Sequence, residues 1–309
     1  MTLNYYITNV FTDQPFAGDQ VAVIPFAEQL DNHQMRLIAK EINVDITVFI
    51  SNPDNQASTR TLKMFSPLAE IEFAGHPIIA AAYTLGLCGD IIFKDGITSL
   101  SFIRNIGEID INVSANNGTP TFVQFSRKVS PVIDRFTPLD LELSQLLSIG
   151  TDDIDHKKYS TRLVSCGFPY LIVPVWKYDT VRNATFNFNA WSQSAAPQTA
   201  AQEILLFSPK TPFKDADFNA RLLGPNIGSH DDPSVGAAMS AFASYLCSFD
   251  FMQEGTHTFA VDRGDANHRR SVIDVEMDYK AESTLNLRIG GKAILVAEGQ
   301  ISIPSKNDE

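Results

Sequence analysis

Two runs of helical length contain no charged residue, and they constrain the fold more than any other feature of the chain. The first covers residues 77–87 and the second covers residues 236–249. A helix that is apolar on all sides has to be buried on all sides. Neither run reaches the roughly 20 residues needed to cross a bilayer. Each run is therefore predicted to be the central helix of its own core.

Similar sequence precedes the two apolar runs. Residues 65–67 and 223–225 each combine a strand end with a small residue and a proline, and a polar turn containing glycine follows in both cases. The runs start half a chain apart, which is typical of an internal repeat of long period. The sequence predicts an α+β fold of two pseudo-symmetric lobes, each a curved, mostly antiparallel sheet wrapped around a central apolar helix.

The remaining elements follow from hydrophobic periodicity. A helix is predicted after the N-cap Asp31, and another is predicted from Thr137 to the stop at Gly150, while residues 187–200 are ambiguous. Strands are predicted at 5–11, 21–24, 46–50, 59–65, 97–103, 109–113, 162–175, 203–207, 219–223, 257–261, 272–277, 285–289 and 293–296. The first lobe should cover residues 1–118, with a strand near 292–303 returning to it, and the second lobe should cover residues 119–291.

Charge and cysteine content exclude several classes of function. The net charge of −12 disfavours binding to nucleic acid or to an anionic membrane. The first residues lack the features of a signal peptide, so a cytoplasmic protein is expected. Cys88, Cys166 and Cys247 are widely spaced and predict neither a disulfide framework nor a metal motif. We expect no metal and no cofactor.

The stretch Gly75-His76-Pro77, which introduces the first apolar run, has two interpretations. Proline is favoured in a first helical turn, so these residues could simply begin a core helix. Alternatively, the helix start could present free N–H groups and a positive dipole end to a substrate carboxylate. Asp231 and Asp232 precede the second run. A histidine and a carboxylate on opposite sides of a dry cleft would suit proton transfer without a cofactor.

Several motifs resemble those of the PhzF-like family of phenazine biosynthesis proteins. Residues 65–77 resemble the family pattern FTPxxExPFAGHP, including Phe73 and Ala74, and residues 221–238 resemble RxFSPxxGxxEDxxTGSA in a degraded form. Weaker similarities cover residues 11–23, 35–43, 264–271 and 299–301. The resemblance therefore extends over the whole chain.

The resemblance implies the fold of diaminopimelate epimerase, a homodimer, and cofactor-free isomerisation of the kind that acts on trans-2,3-dihydro-3-hydroxyanthranilate. It implies that His76 is the active-site histidine and that Asp232 is the active-site aspartate. We also expect five positions to contact substrate, namely Gly75, Pro77, Ile46, Gly236 and Ala237.

This chain departs from the family pattern at residues that carry the chemistry. The catalytic glutamate of the family aligns with Ile46, which cannot carry a proton. The adjacent Asp45 could substitute only through a bulge or a local shift, because neighbouring strand residues point to opposite faces. Ala237 lacks a hydroxyl that the family pattern supplies, and Asp19 stands where the family has asparagine.

Two hypotheses of different class follow. The first is a cofactor-independent isomerase or epimerase that moves a proton on a small carboxylate-bearing substrate in the cleft between the lobes, with His76, Asp232 and Asp45 as catalytic residues. The second is a catalytically silent relative that binds a ligand or a partner protein. The sequence leaves open whether Glu41, Glu70 or Glu72 reaches the cleft, or whether they are solvated.

Overall fold

The structure is a computed structural model that describes residues 2–52, 59–72, 75–104, 107–135, 137–194, 203–228, 232–265, 268–280 and 283–305, with the side chain of His268 excepted. The strands are β1 Thr2–Val10, β2 Asp19–Ile24, β3 Ile46–Ser51, β4 Thr59–Phe65, β5 Gly96–Arg104, β6 Gly107–Asn116, β7 Thr119–Val129, β8 Val132–Asp134, β9 Arg162–Ser165, β10 Pro169–Pro174, β11 Glu203–Ser208, β12 Phe218–Leu223, β13 Gly255–Asp265, β14 His268–Tyr279, β15 Leu285–Gly291 and β16 Ala293–Ser302. The helices are α1 Asn32–Ile42, α2 His76–Leu87, α3 Asp140–Leu147, α4 Tyr178–Asn183, α5 Phe188–Gln193 and α6 Met239–Cys247.

The chain divides into two compact units. One unit comprises the residues up to Arg127 together with those from Arg288 onward, and the other runs from Lys128 to Leu287. Strands of the first unit follow the order β16-β1-β2-β3-β4-β5-β6-β7, and strands of the second follow β14-β13-β12-β11-β10-β9-β8. The last strand of the chain, β16, pairs antiparallel with the first, β1.

Both units show the same succession of strand orientations. In the first unit β2–β3 and β4–β5 are parallel, whereas β1–β2, β3–β4 and β5–β6 are antiparallel. In the second, β10–β11 and β12–β13 are parallel, whereas β9–β10, β11–β12 and β13–β14 are antiparallel. Both sheets are therefore mixed. Helix α2 lies in the chain between β4 and β5, and α6 lies at the corresponding place between β12 and β13.

Each apolar run forms a helix that is buried along nearly its whole length, α2 in the first unit and α6 in the second. Ten consecutive residues of α2, from His76 to Leu85, are buried, and α2 packs against β1, β2 and β3. All residues from Met239 to Leu246 of α6 are buried, and α6 packs against β9, β10 and β14. No helix among the residues that the structure describes is long and apolar enough to span a membrane.

Several element boundaries differ from the sequence-based predictions for local reasons. Residues 162–175 form two antiparallel strands, β9 and β10, because Gly167 has a φ of 111° in a turn between them. Strand β7 was not predicted, since Pro120 interrupts its pattern, and helix α4 was also missed. The second apolar run begins with a 3₁₀ turn, Gly236–Ala238, before α6. Helix α5 occupies part of the ambiguous segment; residues 195–200 lie outside the described residues.

The predicted helix after Asp31 is confirmed, together with its cap. The Asp31 carboxylate accepts from the backbone N–H of Gln34 at 2.9 Å, and the Gln34 side chain accepts from the backbone N–H of Asp31 at 3.1 Å. The Gln34 side-chain amide also donates to the Pro304 carbonyl at 2.7 Å. The cap therefore connects the start of α1 to the segment after β16.

Replacing the capping residue should destabilise the protein measurably. Asp31→Ala removes the acceptor for the Gln34 N–H, and we expect a loss of about 1 kcal/mol in the free energy of unfolding. Urea denaturation followed by circular dichroism would measure the change. Asp31→Asn keeps a side-chain acceptor and is the matched control, so equal losses in the two variants would contradict the capping explanation.

Candidate active site

His76 is the first residue of α2 and is buried, with 8 % of its surface exposed. Gly75 occupies the N-cap position without any side-chain cap, and its carbonyl accepts from the Ile78 N–H at 3.1 Å. Pro77 has no N–H to leave unsatisfied. The N-cap residue therefore supplies no side chain to the free N–H groups of the first turn, which is compatible with both interpretations of this stretch.

Gly75 has a packing role that is independent of any ligand. A Cβ at this position would lie 2.6 Å from Cζ of Phe125 on β7. The backbone of Gly75 is in the right-handed helical region, with φ −76° and ψ −44°, so its conformation alone does not require glycine. Close approach to the Phe125 ring is what disfavours a larger residue at this position.

The strand register shows which side of the first sheet faces α2. The hydroxyl oxygens of Thr8 on β1 and Thr84 on α2 lie 3.2 Å apart. Thr8 pairs with Val21 of β2, and Val21 pairs with Ile46 of β3. Because paired residues on neighbouring strands point to the same side of a sheet, Ile46 faces α2. Its exposed fraction is 9 %.

Asp45 and Asp19 differ in their relation to this face. Asp45 precedes β3 and is exposed. Asp19 is the first residue of β2, two positions before Val21, so it points to the same side as Ile46. Only 4 % of Asp19 is exposed. Aspartate is seldom this buried in a folded protein, which makes Asp19 an informative position.

Sequence reasoning noted the unusual residue at position 19 but gave it no role. The signal was present in the sequence as an aspartate in place of the family's asparagine. What the sequence lacked was the register that places Asp19 on the face of Ile46. The structure therefore brings a carboxylate to that face from β2, where the pattern had pointed only to the neighbourhood of residue 45.

Asp232 lies in the second unit, where arginine side chains hold it. Its carboxylate Oδ2 accepts from Arg182 Nη1 at 2.9 Å, and its backbone carbonyl accepts from Arg263 Nη1 at 2.6 Å. Arg221 Nη1 in turn donates to the carbonyls of Arg182 and Ala184, at 3.1 and 2.9 Å. The position of Asp232 is thus fixed through both its side chain and its backbone.

The pKa of the Arg221 guanidinium lies below its ordinary value, and burial is the largest cause. Burial lowers the pKa of its guanidinium, Asp232 raises that pKa, and the neighbouring Arg182 lowers it. Arg182 and Arg263 were not recognised from the sequence, because their contacts with Asp232 join residues far apart in the chain. Arg221 was noted only as part of a motif.

Residues at the start of the second apolar helix have mixed exposure. Gly236 is buried and its N–H donates to the Ser234 hydroxyl at 3.3 Å, whereas Ala237 is exposed. Asp231 lies outside the described residues, as do Phe73 and Ala74. Glu41, Glu70 and Glu72 are all exposed.

Cysteine chemistry and metal binding receive no support from the described part of the chain. Cys88, Cys166 and Cys247 are free and half-buried, and burial raises the pKa of the Cys247 thiol to about 12. A thiol with so high a pKa is a poor nucleophile at neutral pH. Among the residues that the structure describes, no group of three or more histidine, cysteine or acidic side chains could hold a metal ion.

The packing of Gly75 against Phe125 can be tested directly. Gly75→Ala should lower the free energy of unfolding by about 1–3 kcal/mol, because the added methyl group overlaps the ring. In a Phe125→Leu background the same change should cost less, and thermal unfolding of the four proteins in this double-mutant cycle would measure the coupling. An equal cost in both backgrounds would show that the ring is not the obstacle.

Known proteins resemble this chain over nearly its whole length. Residues 8–299 match the family described as phenazine biosynthesis-like protein. An uncharacterized isomerase of Mesorhizobium japonicum is 29 % identical over 98 % of this chain and 99 % of its own length. The trans-2,3-dihydro-3-hydroxyanthranilate isomerase of Pseudomonas fluorescens is 23 % identical over 96 % and 99 %.

A solved structure shows the same fold. The Bacillus anthracis phenazine biosynthesis protein of the PhzF family has a TM-score of 0.83 and 20 % identity, covering 98 % of this chain and all of the other. The match to the family covers nearly the whole chain, and the resemblance seen in the motifs is confirmed. The chain therefore belongs to the phenazine biosynthesis-like family, PhzC–PhzF.

Proposed function

We propose that this protein is an isomerase that moves a proton on a small carboxylate-bearing substrate without a cofactor. The observation that carries the proposal is the buried His76 at an uncapped helix start, within a family match that spans the chain. The names of its relatives support the reaction class, since the M. japonicum and P. fluorescens proteins are both described as isomerases.

The proposal includes two equivalent lobes, each with a central helix, that together form one site. Its support is the shared succession of strand orientations and the matching chain positions of α2 and α6. The substrate carboxylate would bind at the helix starts, near the backbone of Gly75 and Gly236, with Pro77, Ile46 and Ala237 as further contacts. We further propose that the protein is a homodimer, as the family resemblance implies.

The chemistry would proceed through a carbanion or an enolate. A carboxylate removes a proton from carbon, the start of α2 with His76 and Asp232 stabilises the developing charge, and the proton returns at another position. Ile46 cannot carry that proton. Asp45 and Asp19 are the two candidates for the carrier. The register favours Asp19, because it shares the α2-facing side of the sheet with Ile46 whereas Asp45 is exposed.

A second function is favoured by the same substitution. If no carboxylate replaces the glutamate at position 46, the protein would bind a small ligand or a partner without turning it over. The buried isoleucine is the observation that supports this alternative, because it removes the proton carrier and leaves the surrounding fold in place.

Proton exchange in D2O, followed by NMR, distinguishes these functions. Dihydrohydroxyanthranilate and a panel of small amino acids would be incubated with the unmodified protein and with Asp19→Asn, Asp45→Asn and His76→Ala. Loss of the true proton carrier should slow exchange about 10²- to 10⁴-fold. Asp110→Asn, which changes an exposed aspartate on β6, is the matched control and should leave the rate unchanged.

Each outcome selects one assignment. Exchange that is lost in Asp19→Asn but kept in Asp45→Asn assigns the carrier to Asp19, and the reverse pattern assigns it to Asp45. If the unmodified protein shows no exchange while Ile46→Glu does, the scaffold is competent and the natural protein is silent. That result would replace the isomerase proposal with the binding function.

A further inference from the structure

Arg182 has two buried hydrogen-bond donors without an acceptor. Its Nη1 donates to Asp232, but its Nε and Nη2 are buried and make no hydrogen bond with any residue that the structure describes. The side chain as a whole is 10 % exposed. A buried donor left unsatisfied is rare in folded proteins and requires an explanation.

The two unsatisfied donors lie on the same edge of the guanidinium. Nε and Nη2 carry parallel N–H bonds, and this edge binds both oxygens of a carboxylate or a phosphate at once. A planar acidic group can place one oxygen on each of these two N–H groups. The edge is held in place, because Arg221 Nη1 binds the Arg182 carbonyl and Asp232 binds Nη1.

Asp232, which binds Nη1 of the same guanidinium, offers a further acceptor. Its Oδ2 binds Arg182, while its Oδ1 is buried without a partner among the described residues. A hydroxyl or an amine next to an acidic group on the same ligand would satisfy Oδ1 while the acidic group satisfies the arginine. The unsatisfied edge of Arg182 and the unsatisfied Oδ1 of Asp232 therefore fit a 2-amino or 2-hydroxy acid better than an unsubstituted acid.

We propose that Arg182 binds the carboxylate of the ligand through its Nε–Nη2 edge, and that Asp232 Oδ1 accepts a hydrogen bond from the neighbouring hydroxyl or amine. The inference rests on the proposed function, since it names the substrate class of the same site. It assigns the carboxylate a side-chain partner, and it makes Arg182 a specificity-determining residue. A site built around these donors should discriminate strongly against a ligand that lacks the acid.

The test measures binding separately from exchange. Isothermal titration calorimetry would use anthranilate and both enantiomers of phenylalanine as acidic probes. The amides 2-aminobenzamide and phenylalaninamide lack the acid, and benzoate and 3-phenylpropionate lack the donor. We expect the amides to bind about 10- to 100-fold more weakly than the acids, as expected for loss of hydrogen bonds to a charged group.

Arg182→Lys is the informative variant. Lysine keeps the positive charge beside Asp232 but has no planar edge, so the difference between acid and amide should fall to within a few-fold. Arg162→Lys is the matched control, because Arg162 is a buried arginine of the same unit whose Nη1 binds the Ser248 carbonyl and in which Nε alone is a buried donor left unsatisfied by the described residues. If Arg182→Lys does not fold, the acid and amide comparison on the unmodified protein still decides.

Three results would overturn the inference: equal binding of acids and amides by the unmodified protein, unchanged acid binding by Arg182→Lys, or no binding of any acidic probe. Calorimetry tests this inference, whereas the proton-exchange measurement tests the isomerase proposal, so the two can fail independently. Acid-selective binding that depends on Arg182 without proton exchange would support the inference and contradict the isomerase. Exchange that is unaffected in Arg182→Lys would contradict the inference and leave the isomerase standing.

Discussion

The burial of two uncharged helices is the constraint on which the rest of the structure depends. A helix without a polar stripe cannot lie on a surface, so each unit has to cover α2 or α6 on all sides. The strands provide this cover, and α2 packs against three strands that are adjacent in the first sheet. Gly75 permits the close approach of Phe125 at the beginning of α2. His76 is the first residue of this helix and is buried with it.

In the proposed site, the same burial would strengthen the effect of the start of α2 on a bound anion. Interactions between charges and dipoles strengthen as water is excluded, so a helix dipole in an apolar setting stabilises an anion more than a surface helix would. It also strengthens the electrostatic effect of a carboxylate on the sheet face beside α2. Asp19 is such a carboxylate, since it lies on the α2-facing side of the first sheet and is only 4 % exposed.

Local patterns predicted the helices and most strands, since periodicity, caps and prolines act over a few residues. Asp31 with Gln34 and the strand of residues 59–65 are examples. The patterns failed where a single turn decides the outcome, as at Gly167, and where a proline stands inside a strand, as in β7. The motifs in the sequence predicted His76 and Asp232 as site residues. The sequence could not predict a role for Arg182. The contact between Arg182 and Asp232 spans 50 positions in the chain and depends on the packing of α4 against β12.

The arginines around Asp232 indicate an altered site more than a decayed one. A partly buried ion pair contributes little to stability, since the cost of removing both charges from water offsets much of their attraction, and apolar replacements are often as stable. A site that had lost all use would therefore be free to replace Arg182 and Asp232. Instead the pair is present, two further guanidinium groups hold its backbone, and one edge of Arg182 is left unsatisfied. The ligand proposed above would satisfy these groups and would account for that cost.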